Sequence, residues 1–313
     1  MSVLLRADQL DVLCRFGYDE SHVIGTGTQA IVIDTAHSYL IKIYKQHPNL
    51  PDFHQLKSFY DSIHESDVFE TPLIDTILVR ENFVLVRELK LGGTSFTSEK
   101  INALAPAELS TYVDQYVNTL FAIRELHSST LQPLTLFMHN NQFLLEGMSD
   151  WNQLMSESIT AKCTELRSQF ARDITQFESK IERILSFFST PFAGTYDIIH
   201  GDFAPVNVLH DDALHATGVI DFGTLTTKGD YFFDLASGWS FVDMYDEITS
   251  ANVKNLVLEQ ILRRLGPAAS QRLAYTLFAY NIISANMYSP TCDDRHYGWS
   301  IASLNNDEYW QMV

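Results

Sequence analysis

The chain has 313 residues, 46% hydrophobic and 19% charged, with 21 basic against 39 acidic residues and a formal charge of −18. That length can build two lobes around a sizeable core, while the acidic balance argues against nucleic acid or an anionic membrane as a partner, because both require a basic face. Cys14, Cys163 and Cys292 are far apart and odd in number, with no disulfide framework or zinc spacing, and no run has signal-peptide or membrane-spanning character, so a reducing, cytoplasmic setting is expected.

Residues 1–16 mix apolar and acidic positions and predict a short helix covering a first sheet. From Val23 to Val32 an apolar strand, a turn containing Gly25 and Gly27, and a second apolar strand follow. Two glycines there let backbone amides approach a phosphate without obstruction by Cβ, although many hairpins carry such a pair. Lys42 is a lone cation inside the apolar run Leu40–Tyr44; it either snorkels to solvent at an edge or points into a cleft. Phe53, Leu56, Phe59, Tyr60 and Ile63 recur at helical spacing within 51–65. A hairpin is expected from 77–79 to 83–86, running on through Arg87-Glu88-Leu89 to Gly92-Gly93, with a lobe boundary near residue 90.

The second lobe reads as mainly helical. One helix is expected over 107–128, ending at Leu126-His127, with His127 as a core or capping residue. Residues 130–160 carry no clear period, and His139-Asn140-Asn141 reads as a turn. A single helical stripe is expected over 161–189. From Ile198 to Gly223 the chain reads IIHGDFAPVNVLHDDALHATGVIDFG. Two short strands there would bring oxygen-bearing side chains to one cleft. The amide of Asn207 and the carboxylate of Asp221 are suited to Mg²⁺, which prefers oxygen ligands, and Asp202 stands off as a carboxylate able to accept a proton from an attacking hydroxyl. Asp234 opens a helix, where an aspartate is often an N-cap, and helices at 253–265 and 270–288 are separated by Gly266-Pro267. The aromatic and acidic tail, Cys292 to Trp310, either packs on the lobe or walls the cleft.

The order H-x-D-x-x-x-x-N followed by D-F-G, together with the glycine turn and Lys42, resembles the kinase fold. Gly201 after the histidine and the later Asp234-Leu235-Ala236 resemble the aminoglycoside phosphotransferase and choline kinase branch. The resemblance implies an α+β, two-lobed protein-kinase-like fold. Residues 1–90 would form an N-terminal nucleotide-binding lobe, an antiparallel sheet with one helix. Residues 91–313 would form a larger, mainly helical lobe for catalysis and acceptor binding, with a helical insertion at about 130–190. It implies Asp202 as the catalytic base, Asn207 and Asp221 as ligands of Mg²⁺, Gly25, Gly27 and Lys42 as phosphate contacts, and Asp234 as a structural brace on the backbone of the catalytic loop. The backbone of Glu88, Leu89 and Lys90 would meet the base of ATP or GTP, and a helix acid, Glu65 ahead of Asp61 or Glu70, would hold Lys42. Departures are Ala30 in place of the last glycine of the turn and Leu40 in place of a small alanine, which would tighten the adenine pocket.

Only ten residues separate Gly223 from Asp234, with no A-P-E motif, so a small acceptor is expected rather than a protein. The expected function is transfer of the γ-phosphate of ATP or GTP to a hydroxyl of a small molecule, as in antibiotic inactivation. Alternatives are a kinase for choline, a sugar or an amino alcohol and, more distantly, a nucleotide-binding regulator without turnover. The acids Asp197, Asp211, Asp212, Asp230, Asp243, Asp246, Glu247, Asp293 and Asp294 would give the acceptor end a negative potential that favours a cation.

Overall fold

Alternation along the first strands sets up a sheet with two differently used faces. A computed structural model describes residues 7–26, 30–35, 37–45, 50–63, 66–137, 147–223, 225–246 and 253–313. β1 (Val23–Thr26), β2 (Ala30–Asp34), β3 (Tyr39–Lys45), β4 (Ile74–Val79) and β5 (Phe83–Leu89) form one sheet in the order β1-β2-β3-β5-β4, and every pairing is antiparallel. Side chains alternate between faces with period two. Ile31, Ile33, Ile41, Ile43, Phe83 and Leu85 therefore share a face and bury against Leu13 of α1 (Ala7–Arg15). Val84 and Val86 belong to the other face and join the main core with Phe53, Leu56 and Phe59 of α2 (Phe53–Ser62). Lys42 pairs with Val86 in register, so it too lies on the inner face, between the sheet and α2. α2 starts where Asp52 caps the His54 and Gln55 amides.

The remainder is helical with small sheets inserted. α3 (Ser98–Ala103) and α4 (Pro106–Ile123) follow the short β6 (Thr94–Ser95). Pro106 stands at the first turn of α4, where its missing N–H costs nothing. α4 stops at Ile123, so Leu126 and His127 lie beyond its end rather than within it. The single stripe expected over 161–189 is instead three helices, α5 (Trp151–Glu165), α6 (Arg167–Asp173) and α7 (Phe177–Phe187). Gln176, in the left-handed region at φ +55, breaks the last two. α5 also takes up 151–160 of the stretch without a clear period, with Asp150 capping Gln153, while the turn expected at His139-Asn140-Asn141 lies outside the described residues.

β7 (Asp197–Ile199) pairs with β10 (Thr227–Gly229), and β8 (Val208–His210) lies between β6 and β9 (Ala216–Val219). α8 (Phe232–Ser240) opens two residues before Asp234, so this aspartate sits in the first turn and is not the N-cap. α9 (Val253–Leu265) and α10 (Ala269–Ser284) flank Gly266 as expected. The tail forms α11 (Arg295–Leu304) and α12 (Asp307–Trp310). It packs on α10, with Trp310 stacked on Phe278 at 4.3 Å. None of the described helices is long and apolar enough to cross a membrane.

Candidate active site

Two short strands bring the acid–amide set together. Val208 of β8 is opposite Val219 of β9, and the Ile220 amide donates to the Asn207 carbonyl at 2.9 Å. Asn207 and Asp221 are thereby neighbours across one end of this hairpin. The Asn207 side-chain nitrogen donates to the Asp202 carbonyl at 2.9 Å, which leaves the amide oxygen as the atom suited to a metal. Asp221 adopts φ +63, a conformation that aspartate tolerates better than most residues. Both donors are oxygens, the kind Mg²⁺ takes, and two protein ligands are the usual number where a nucleotide supplies others. Among the described residues no group of three or more His, Cys, Asp or Glu could hold a metal.

The loop carrying Asp202 is held from beneath. Both oxygens of the buried Asp234 accept backbone N–H bonds, from His200 at 2.6 Å and Gly201 at 2.8 Å. Burial nonetheless pushes its carboxyl up to about 7. Gly201 has φ +85, and a Cβ there would lie 2.5 Å from the backbone of Leu225; only glycine fits. His200 is buried, and burial pushes its imidazole down to about 4. It is therefore neutral. Its Nδ1 accepts from the Asp202 amide at 3.2 Å, and its Nε2 lies 2.8 Å from the Ile220 carbonyl, the geometry of a proton on Nε2. One imidazole thus links the Asp202 loop to the strand that delivers Asp221. Asp202 reaches solvent, yet its carboxyl is crowded into the cleft. That crowding, with the charge of Asp221, pushes its pKa up to about 6.

Lys42 meets this set from the other lobe. Its ammonium lies 2.6 Å from Asp221 and 3.0 Å from Glu88. Burial opposes the charge, but Asp221 and then Glu88 hold the lysine well above its ordinary value, and Lys42 in turn keeps Asp221 low. Removing Lys42 would strand the buried Glu88 charge, at a cost of roughly 3–5 kcal/mol, whereas removing Glu88 leaves the ammonium with Asp221. Phe222 packs against Phe59 and Tyr60 of α2 and against His200, with ring centroids 5.7, 6.0 and 4.5 Å away. This apolar contact seats the cleft-lining loop on the helix.

Several expectations change. Asp61 pairs with Lys57, at 2.9 Å, not with Lys42. Glu70 is exposed, and its backbone joins Thr217 and Val219. Glu65 lies outside the described residues. Among the described residues the carboxylates beside Lys42 are Asp221 and the side chain of Glu88, for which the resemblance implied only a backbone contact; the inward position of Glu88 follows from sharing a face with Val86, a period-two signal present in the sequence. The Leu89 amide donates to Leu73 and the Lys90 amide to Ser38, both at 2.9 Å, so a base that needs an N–H from this strand must find it beyond Lys90. Gly25 pairs with Val32 in β1, and Gly27 lies outside the described residues.

The model of the phosphotransferase enzyme family matches residues 26–274. No curated protein matches the chain in sequence. Among solved structures, a thermostable mutant of aminoglycoside phosphotransferase APH(4)-Ia in a ternary complex with ADP and hygromycin B is similar, with TM-score 0.69 and 13% identity over 96% of this chain and 97% of that one. The gentamicin complex of APH(2")-IIa gives 0.60 and 15% over 96% of each chain. An ethanolamine kinase of Plasmodium vivax gives 0.60 and 12% over 100% of this chain and 92% of that one. At such identities the likeness is one of fold: the kinase-like architecture, with its antiparallel N-terminal sheet and helical remainder.

Proposed function

Because the chain belongs to the phosphotransferase enzyme family, we propose that it moves the γ-phosphate of ATP, or GTP, to a hydroxyl of a small molecule, with Asp202 as the base. One observation carries this reading: the Lys42 ammonium and the Asp221 carboxylate, from different lobes and 179 residues apart, meet at 2.6 Å. A phosphate grip and a metal ligand belong together where a nucleotide's phosphates lie. Residues 1–90 act as the nucleotide lobe and 91–313 as the catalytic and acceptor lobe. Asn207 and Asp221 would hold Mg²⁺, whose contribution when bound is to neutralise phosphate charge. Lys42 and the turn at Gly25 and Gly27 hold phosphate oxygens. The strand end from Glu88 to Lys90 borders the base, whose N–H donor shifts one residue on, to Leu91. Asp202 accepts the hydroxyl proton, and a pKa near 6 suits that task at neutral pH because the group is then ionised yet basic.

We assign the acceptor to the class of small cationic alcohols. Structural neighbours carry hygromycin B or gentamicin, or are named for ethanolamine, and all three compounds combine amines with hydroxyls. Antibiotic inactivation and phosphorylation of an amino alcohol are both reactions of that class. The phenol of Tyr288 is raised chiefly by burial, with the charges of Asp202 and Asp294 adding to it. Three cysteines, none in a disulfide, agree with a cytoplasmic setting.

Asp202→Asn tests the chemistry. It keeps the size of the side chain and removes the base. Turnover should fall about 10²–10⁴-fold while calorimetry still detects ATP binding. Near-normal turnover on the true acceptor would refute the assignment.

A further inference from the structure

A lysine that grips phosphate needs an anchor, because its long side chain otherwise spreads the ammonium over many positions. The sheet register supplies one here. Leu40 is opposite Glu88 and Lys42 opposite Val86, so Glu88 stands diagonal to Lys42 on the inner face, a separation that long side chains bridge. The two side chains are 9% and 6% exposed. Asp221, the other carboxylate on this ammonium, is 51% exposed and sits on a loop. On α2, Tyr60 takes a buried place facing this cluster, and its hydroxyl lies 3.5 Å from the Phe222 carbonyl.

We propose that Glu88 is the positioning residue for Lys42: it holds the ammonium permanently to β5, while Asp221 is an exchangeable partner released when phosphates and metal enter. The inference rests on the phosphotransferase reading, in which Lys42 meets phosphate. An ammonium has three donors. With one committed to Glu88, another can turn from Asp221 to a phosphate oxygen without the lysine leaving its place. Asp221 is then freed to act as a metal ligand. If Glu88 is neutral, Asp221 is the one carboxylate left on the lysine among the described residues. The pair then has to break before a metal can be taken, so Glu88 governs metal binding without touching the metal.

A double-mutant cycle tests this. Mg²⁺ is titrated into the complex with a non-hydrolysable ATP analogue, for the parent protein, Glu88→Gln, Lys42→Met and the double variant, with binding read by calorimetry. Glu88→Gln should raise the Mg²⁺ needed for half-saturation about tenfold in the parent, and by no more than about twofold once Lys42 is methionine, since coupled neighbours are non-additive. Glu88→Asp, which keeps the charge on a shorter arm, should fall between. It also serves as the probe if Glu88→Gln folds poorly. A loss of charge acting only at a distance would change both backgrounds equally, and that result, or no change in either, overturns the proposal. A parent protein that binds no ATP analogue would instead overturn the phosphotransferase reading itself, and this inference with it.

Discussion

His200 does several jobs with one ring, and its titration reports them. Its backbone is fixed by Asp234, its Nδ1 receives the Asp202 amide, and its ring packs on Phe222. Burial lowers its pKa from the ordinary 6.5 to about 4. A base lowered on folding contributes stability that is whole above about 6.5 and is lost as pH falls through 4, because the unfolded chain takes the proton first. At about 1.4 kcal/mol per pH unit, the contribution is on the order of 3 kcal/mol. His200→Gln should therefore flatten the acid limb of the melting-temperature profile over that window. In the parent, the ring resonances should stay unshifted from pH 7 down to pH 5 in NMR. A parent ring that titrates near 6.5 would refute the burial argument.

At the scale of elements, the break before α7 is the point where local sequence signals fail. Phe170, Ile174, Phe177 and Ile181 are all buried and continue a helical stripe, and no glycine or proline interrupts them. The chain nonetheless turns at Gln176, φ +55, an exposed residue whose carbonyl still accepts the Lys180 amide. Asn305 explains the turn from outside, since its side chain accepts from the Thr175 amide and donates to the Asp173 carbonyl. A glutamine in the left-handed region is strained by about 1 kcal/mol. Gln176→Gly removes that strain while loosening the unfolded chain, so a small net stabilisation of about 0.5 kcal/mol is expected. Urea unfolding measures it; a clear loss of stability would show that the side chain contributes more than the backbone strain costs. Asp234 is the opposite case: the brace on the catalytic-loop backbone that the resemblance implied is what its oxygens provide, accepting from the His200 and Gly201 amides.

For the whole molecule, the −18 formal charge must be sorted by what each acid touches. Asp230 is buried against Arg272 at 2.7 Å, Asp197 lies 3.7 Å from Arg124, and Asp211 lies 3.2 Å from His215. Asp293 accepts from Ser289. Glu247 lies outside the described residues. Asp230 and Asp197 are thus balanced by arginines, whereas Asp293 and Asp211 keep their charge beside a hydroxyl and an imidazole, and the side chains of Asp243 and Asp246 lie outside the described ones. The apparent affinity for a cationic acceptor should weaken severalfold as salt rises from about 0.1 to 1 M, where the screening length falls from about 10 to 3 Å, with turnover changing less. A flat Michaelis constant, or a best acceptor that is neutral, would remove the electrostatic argument and leave the phosphotransferase assignment standing.

The sequence alone determined most of the strand and helix blocks, though not the breaks within 161–189, and it carries the H-x-D-x-x-x-x-N and D-F-G spacing. These depend on local periodicity and on residues a few positions apart, and such signals survive without a fold. Gly201 was visible, but the reason for it was not, because the Leu225 backbone that forbids a side chain there arrives from 24 residues on. Tertiary structure alone decided which carboxylates meet Lys42. That choice follows from the pairing of β3 with β5 and from the docking of the Asp221 loop beneath the sheet. Contacts across such separations are fixed by packing and register; the period-two pattern of β5 turns Glu88 inward, but nothing within that segment announces Lys42 as what it meets.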